Sequence, residues 1–270
     1  MPWWGTPRAL RACPSRCPCR GRAAWSRGRG SPRRVPGREE GRPGSCRWRW
    51  ARRGQGAAPW PAAYDGRVRL GIYGGSFDPV HRGHLAVAIA VVKARQLDRL
   101  ELIPAASPPH KVKGCRAPFR HRLAMLQIAV GHSGEARLHP SGREGGRPGP
   151  SYTMDTVLEL GREEPGAQLE LLVGADMLAD LPTWHRAGEL VAAVTVIAFG
   201  RPGFDMEGAR GRFREAFGPM EEGRLVAVAV PRVEASSTEI RRILAEGGDP
   251  ADLLPPGVHR YIREMKLYRG

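Results

Sequence analysis

The stretch that most constrains this chain is an unbroken passage from an apolar strand, through a glycine-rich turn, into a run without helix breakers. Val68-Arg69-Leu70-Gly71-Ile72-Tyr73 reads as the strand and Leu85 to Val92 as the helix. Between them stand Gly74-Gly75-Ser76-Phe77-Asp78-Pro79-Val80-His81-Arg82-Gly83-His84. A strand, tight turn and helix N-terminus together make an anion site, because backbone N–H groups and the positive end of the helix dipole converge on one spot. Gly74 and Gly75 allow the sharp turn and a close ligand approach. His81 and His84 lie three apart where the helix begins, so both rings can face that spot. A glycine pair alone is usually only a βα turn, and two histidines can be incidental. Their joint occurrence with Phe-Asp-Pro argues for phosphate binding. The turn is neither a G-x-G-x-x-G fingerprint nor a Walker A loop.

Leu100 to Pro104 reads as a second strand, closing a strand–helix–strand unit and implying a parallel sheet with a right-handed crossover. Apolar residues at Phe119, Leu123, Leu126 and Val130 give a helix from Pro118 to Val130. Ala136–Pro140 is a short strand, Gly142–Pro150 a flexible linker, and Leu169–Val173 a buried strand. Strands over Val194–Phe199 and Arg224–Val230 follow, with helices over Met206–Phe217 and Pro255–Tyr268. The predicted class is α/β.

The formal charge of +16 invites a nucleic-acid or membrane reading, but its placement argues against one. Residues 1–66 hold 15 Arg, no Lys and 3 acidic residues, whereas residues 67–270 hold 28 basic and 24 acidic ones. The first 66 residues also carry six of the seven Trp and four of the five Cys, with Leu10 and Val35 as their only branched aliphatics. So little aliphatic surface cannot offset chain entropy. The expectation is a disordered leader over 1–66 and a folded domain over 67–270. Three origins for the leader stay open: sequence upstream of a start near Val68 in a GC-rich gene, an organellar transit segment, or a basic tail that binds nucleic acid. Cys13, Cys17 and Cys19 do not have zinc spacing, and the leader has no His. Cys115 is the one thiol of the body, which fits a reducing cytoplasm. No run of 18 apolar residues predicts a membrane span.

Further candidates lie where strands end, which is where open α/β sheets bind ligands. Lys111, in the loop after the second strand, is either a solvated cation or within reach of the Gly74–His84 site. Ser151-Tyr152-Thr153-Met154-Asp155-Thr156 precedes an apolar run, so one hydroxyl caps a helix. Three hydroxyls and a carboxylate exceed that need. Asp176, after Gly174, either starts the next helix or accepts ribose hydroxyls. Trp184 is a core residue or a stacking platform. Ser236, Ser237 and Thr238 can cap a helix, yet Arg241 in its first turn opposes the dipole unless an anion sits there.

The Gly74–His84 segment closely resembles the signature of the nucleotidyltransferases that share a His-x-Gly-His core with class I aminoacyl-tRNA synthetases. Within them it is most similar to the nicotinate-nucleotide adenylyltransferases. Further matches follow in order: Pro109-His110-Lys111, Arg122-x-x-Met125, Ser151-Tyr152-Thr153-x-Asp155-Thr156, Gly174-x-Asp176 with Trp184, and Ser236-Ser237-Thr238-x-Ile240-Arg241. Ala235 stands where the family usually has Ile. The resemblance implies a single-domain, Rossmann-like open parallel sheet with helices on both faces. It also implies adenylyl transfer from ATP to nicotinate mononucleotide, giving deamido-NAD and pyrophosphate. The implied ATP contacts are Gly74, Gly75, Ser76, Phe77, His81, His84, Gly174, Asp176, Ser236, Ser237, Thr238 and Arg241, of which His81, His84 and Arg241 are catalytic. Lys111, Thr153 and Trp184 are the implied contacts of the mononucleotide phosphate, carboxylate and pyridine ring. Mg²⁺ would bridge phosphate oxygens, and with no dedicated carboxylate cluster in the chain no protein metal ligand is expected. Phosphopantetheine adenylyltransferases are an alternative, but they carry Thr where His81 stands and leave the Ser151–Thr156 segment unexplained. The amide mononucleotide is a second alternative acceptor, and a homo-oligomer stays open.

Overall fold

The computed structural model describes residues 67–109, 114–200, 204–218 and 224–269. The leader at 1–66 and Lys111 lie outside the described residues. The chain runs β1 (Arg69–Gly75), α1 (Arg82–Arg95), β2 (Arg99–Pro104), α2 (Phe119–Gly131), β3 (Leu138–Pro140) and α3 (Thr153–Glu163). It continues through β4 (Gln168–Gly174), α4 (Ala175–Asp180), α5 (Ala187–Ala193), β5 (Thr195–Phe199), α6 (Met206–Phe217) and β6 (Leu225–Val228). Helices α7 (Ser237–Ala245) and α8 (Pro256–Glu264) close it.

All strand pairs are parallel, in the order β3-β2-β1-β4-β5-β6. This is the Rossmann-like order, in which the winding reverses between β1 and β4. The four inner strands β2, β1, β4 and β5 bury both faces, as parallel strands covered by helices do, while the edge strands β3 and β6 are partly exposed. Leu70 and Ile72 of β1 point to the face covered by α3, α4, α5 and α6. Tyr73 points to the face covered by α1, α2, α7 and α8. Gly71 is required on that second face: a Cβ there would lie 2.5 Å from Leu97 Cδ1 and 2.6 Å from Leu100 Cδ1.

Two carboxylates interrupt this apolar sheet near its amino-terminal edge. Glu170 of β4 is 1% exposed. Its oxygens accept from Arg69 and from Arg95 Nε at 2.8 Å, which supplies the charge partners a buried carboxylate needs. Glu101 of β2 pairs with Arg143 at 2.9 Å. That pair corrects the reading of Gly142–Pro150 as a flexible linker. Arg143–Gly146 is a 3₁₀ turn, and Arg143 also meets Glu159 at 2.9 Å and Glu163 at 3.2 Å on α3. Glu144 is buried beneath the turn and accepts from Thr156 Oγ1 at 3.0 Å. The glycines and proline of this segment hide a set of charges complementary to β2 and α3. The terminal helix is shorter than expected. It ends at Glu264, and Lys266 and Tyr268 take left-handed φ values of 52° and 64°.

Candidate active site

β1 pairs with β2 as far as Gly75 but with β4 only as far as Ile72. Beyond Ile72 the two central strands part, and the Gly74–His84 turn rises beside the opening. Gly74 is exposed, with nothing within 4 Å of where a Cβ would stand. A Cβ on Gly75 would meet the Phe77 ring at 3.2 Å. Phe77 is buried with φ of 45° and stands edge-on to Tyr73 at 5.5 Å, which in turn meets Phe199 of β5 at 6.0 Å. This aromatic wall carries the histidines. His84 lies 5.0 Å from Phe77, and its ring meets that of His81 at 3.8 Å between centroids, tilted by 33°. His81 is the N-cap of α1, and its backbone N–H donates to His84 Nδ1 at 3.2 Å. With Nδ1 accepting, a neutral His84 ring carries its proton on Nε2, which makes that nitrogen a donor.

The N-terminus of α7 is bonded to this same turn. Ser236 is the N-cap and accepts from Glu239 N at 3.1 Å. Ser237 Oγ donates to Pro79 O at 2.9 Å. Arg241 donates to Asp78 O at 2.6 Å and to Thr238 Oγ1 at 3.2 Å, leaving further guanidinium N–H groups for a ligand. Arg241 thus crosses from its own helix to the turn of α1.

On the other side of the opening, Gly174 caps α4 and Asp176 lies half-buried in its first turn. Ser151 Oγ accepts from both Ala106 N and Ser107 N at 3.0 Å, and Ser151 N donates to Ser107 O at 2.9 Å. These bonds fasten the loop after β2 to the start of α3. Thr153 is the first residue of α3, and the preceding Tyr152 stacks on His185 at 4.2 Å and 25°. That contact joins the start of α3 to the segment before α5, where Trp184 packs half-buried against the core of its face.

The cytidylyltransferase-like family model matches residues 72–243. A protein of Thermomicrobium roseum named "Probable nicotinate-nucleotide adenylyltransferase" is 39% identical over 203 residues, covering 74% of this chain and 92% of that relative. The chain belongs to the nicotinate-nucleotide adenylyltransferase family. It is an enzyme, a nucleotidyltransferase. A relative from Gloeobacter violaceus bearing the same name is 42% identical over 207 residues, covering 74% of this chain and 96% of its own. The fold is shared with a Plasmodium falciparum nicotinic acid mononucleotide adenylyltransferase complexed with NaAD. That match has a TM-score of 0.63 at 22% identity and covers 75% and 98% of the two chains.

On this adenylyltransferase fold the residues read from the sequence fall into two groups around the opening. Gly74, Gly75, Ser76, Phe77, His81, His84, Ser236, Ser237, Thr238 and Arg241 lie on the joined turns of α1 and α7. Gly174, Asp176, Thr153 and Trp184 lie on the elements of the opposite face. Arg122, of the Arg122-x-x-Met125 match, is not a solvated cation. It is 1% exposed and donates to Ser76 O at 2.8 Å and Ala117 O at 3.1 Å, so it braces the turn from beneath. Thr156 is likewise engaged in structure, between Glu144 and Arg147. Sequence reasoning missed Asp78, Ser151 as a loop clamp, His185 and Tyr268. Asp78 sat inside the signature, and its place before Pro79 was its only local signal. Among the described residues no three His, Cys, Asp or Glu side chains group as metal ligands. No described helix is long and apolar enough to cross a membrane.

Proposed function

We propose that this site transfers the adenylyl group of ATP to nicotinate mononucleotide, giving deamido-NAD and pyrophosphate. The observation that carries the reading is the adjacent His81–His84 pair at the N-terminus of α1, with α7 bonded to the same turn through Ser237 and Arg241. Two helix N-termini, two imidazoles and a guanidinium then face one polyphosphate.

In the reaction a phosphate oxygen of the mononucleotide attacks the α-phosphorus of ATP, and the bond from that phosphorus to the bridging oxygen of the β-phosphate breaks. The nucleophile is already ionised, so no general base is required. The protein aligns two polyanions and stabilises charge at the α-phosphate and the leaving pyrophosphate. His84 Nε2–H and His81 donate at the α-phosphate. Arg241 and the start of α7, with Ser236, Ser237 and Thr238, hold the pyrophosphate. Gly74 and Gly75 admit the phosphates, and Gly174 and Asp176 face the adenosine, with Asp176 accepting ribose hydroxyls. Lys111, Thr153 and Trp184 hold the mononucleotide. When bound, Mg²⁺ neutralises phosphate charge. Asp78, the buried carboxylate of the turn, already accepts three bonds, which fits an ion held by phosphate and water rather than by the protein.

Residues 67–270 carry the activity, with Cys115 in no disulfide, which suits the cytoplasm. The test is pyrophosphate release from ATP with nicotinate mononucleotide, nicotinamide mononucleotide or phosphopantetheine as acceptor, in the full chain and after deletion of 1–66. Nicotinate mononucleotide is the preferred acceptor, and the deletion leaves its rate unchanged. His84→Ala lowers turnover by about 10²-fold, the scale of a lost electrostatic donor. Turnover within a few-fold of wild type removes His84 from the mechanism.

A further inference from the structure

Asp78 is 1% exposed, and three of its bonds come from parts of the chain remote in sequence. Its Oδ2 accepts from Arg116 N at 2.7 Å and its Oδ1 from Ala117 N at 3.1 Å. The same Oδ1 accepts from the hydroxyl of Tyr268 at 2.7 Å, across 190 positions of sequence. One atom group further along the residue, Asp78 O receives Arg241 at 2.6 Å. Tyr268 reaches this place because the chain after α8 turns back through left-handed residues at 266 and 268. Leu267 and Tyr268 then pack against the core of the α1 face. Burial and the Asp78 carboxylate both push the Tyr268 phenol above the usual tyrosine range, so it remains a donor.

We propose that Tyr268 is a positioning residue for adenylyl transfer: its hydroxyl fixes the side chain of Asp78, and the Asp78 carbonyl so fixed holds Arg241 at the pyrophosphate end of the site. The proposal rests on the reading of Arg241 given above. Asp78 itself meets no substrate in it. With both carboxylate oxygens tied down, the Asp78–Pro79 peptide has one orientation. Its carbonyls then aim at Arg241 and at Ser237 Oγ. Loss of the phenol hydroxyl takes one of the three bonds that hold the carboxylate, which loosens that peptide and weakens the anchor of the Arg241 guanidinium while its charge is kept.

The experiment is Tyr268→Phe, alone and combined with Arg241→Ala, in the full chain, with circular dichroism and a thermal melt confirming the fold at the assay temperature. One hydrogen bond of leverage predicts a turnover about 5- to 10-fold below wild type. In the reverse reaction the KM for pyrophosphate rises about as much, while the forward KM for nicotinate mononucleotide stays within about twofold. In the Arg241→Ala background the same substitution costs less than about twofold, because its target is gone. A purely structural Tyr268 lowers the melting temperature and leaves these rate and KM values alone, and that result overturns the proposal. Equal losses in both backgrounds overturn it as well. Arg241→Ala with wild-type turnover overturns instead the reading of Arg241, whatever Tyr268→Phe does. Should Tyr268→Phe not fold, Asp78→Asn is measured in the same cycle, with the same non-additivity expected and additivity again fatal.

Discussion

Replacing Ser151 with Ala isolates one substrate from the other. The hydroxyl oxygen accepts two backbone N–H groups, from Ala106 and Ser107, each at 3.0 Å. The bond from Ser151 N to Ser107 O at 2.9 Å survives the change. Both orphaned donors are partly exposed, so water takes them up, and each lost bond is worth about 0.5–1.5 kcal/mol net rather than the full cost of a buried unpaired group. Because one oxygen accepts both, together they hold the loop after β2 by less than their sum, about 1–2 kcal/mol. That loop leads to Lys111, and nicotinate mononucleotide must order it again in the variant. At about 1.4 kcal/mol per tenfold, the KM for the mononucleotide rises about 5- to 30-fold. ATP, assigned to the α1 and α7 turns in the proposed mechanism, keeps its KM within about twofold. Initial rates of pyrophosphate release are measured with each substrate titrated against a saturating amount of the other. A parallel rise in the KM for ATP refutes the division of the site into two sides. An unchanged KM for the mononucleotide refutes the clamp.

Glu170→Ala strips the countercharge from Arg69 and Arg95, whose side chains are 22% and 23% exposed. Partial exposure brings the loss below that of a fully buried pair, to about 2–3 kcal/mol of stability in a urea titration. Turnover per folded molecule is unchanged, because Glu170 lies at the opposite end of β4 from Gly174. Tyr268 makes stability fall with pH on the alkaline side. Its folded phenol is raised, so both states hold the proton below about pH 10, and above that the unfolded chain releases it first. Stability then drops by about 1.4 kcal/mol per pH unit, a component absent in Tyr268→Phe. Urea midpoints of the two proteins from about pH 9 to about pH 11 check this, and equal slopes refute it.

What was legible in the sequence is what local pattern encodes. The β1–α1 turn, the hydroxyl cluster opening α7 and the parallel strands each announce themselves within a dozen residues, through periodicity, capping and glycine placement. Ser236 does cap α7 as its position implies, but nothing local says that Ser237 and Arg241 two turns of chemistry later bond to Pro79 and Asp78. Polar contacts between distant segments have no period. For the same reason Gly142–Pro150 read as a linker: its order comes from Glu101 on β2 and from Glu159 and Glu163 on α3. Nothing in the Arg122-x-x-Met125 pattern shows that Arg122 is buried, and only the packed turn reveals that it donates to Ser76 O and Ala117 O.

The bond between Tyr268 and Asp78 has a temporal side. Chains emerge from the ribosome amino end first. The phosphate turn is therefore synthesised 190 positions ahead of the hydroxyl that bonds it. A nascent chain can lay down β1 through β6 and still lack the third bond on Asp78. Cleavage between α8 and Tyr268 would leave the six strands in place and take that bond from the turn. On the role proposed for Tyr268, the catalytic turn is completed by a residue made after every strand of the sheet.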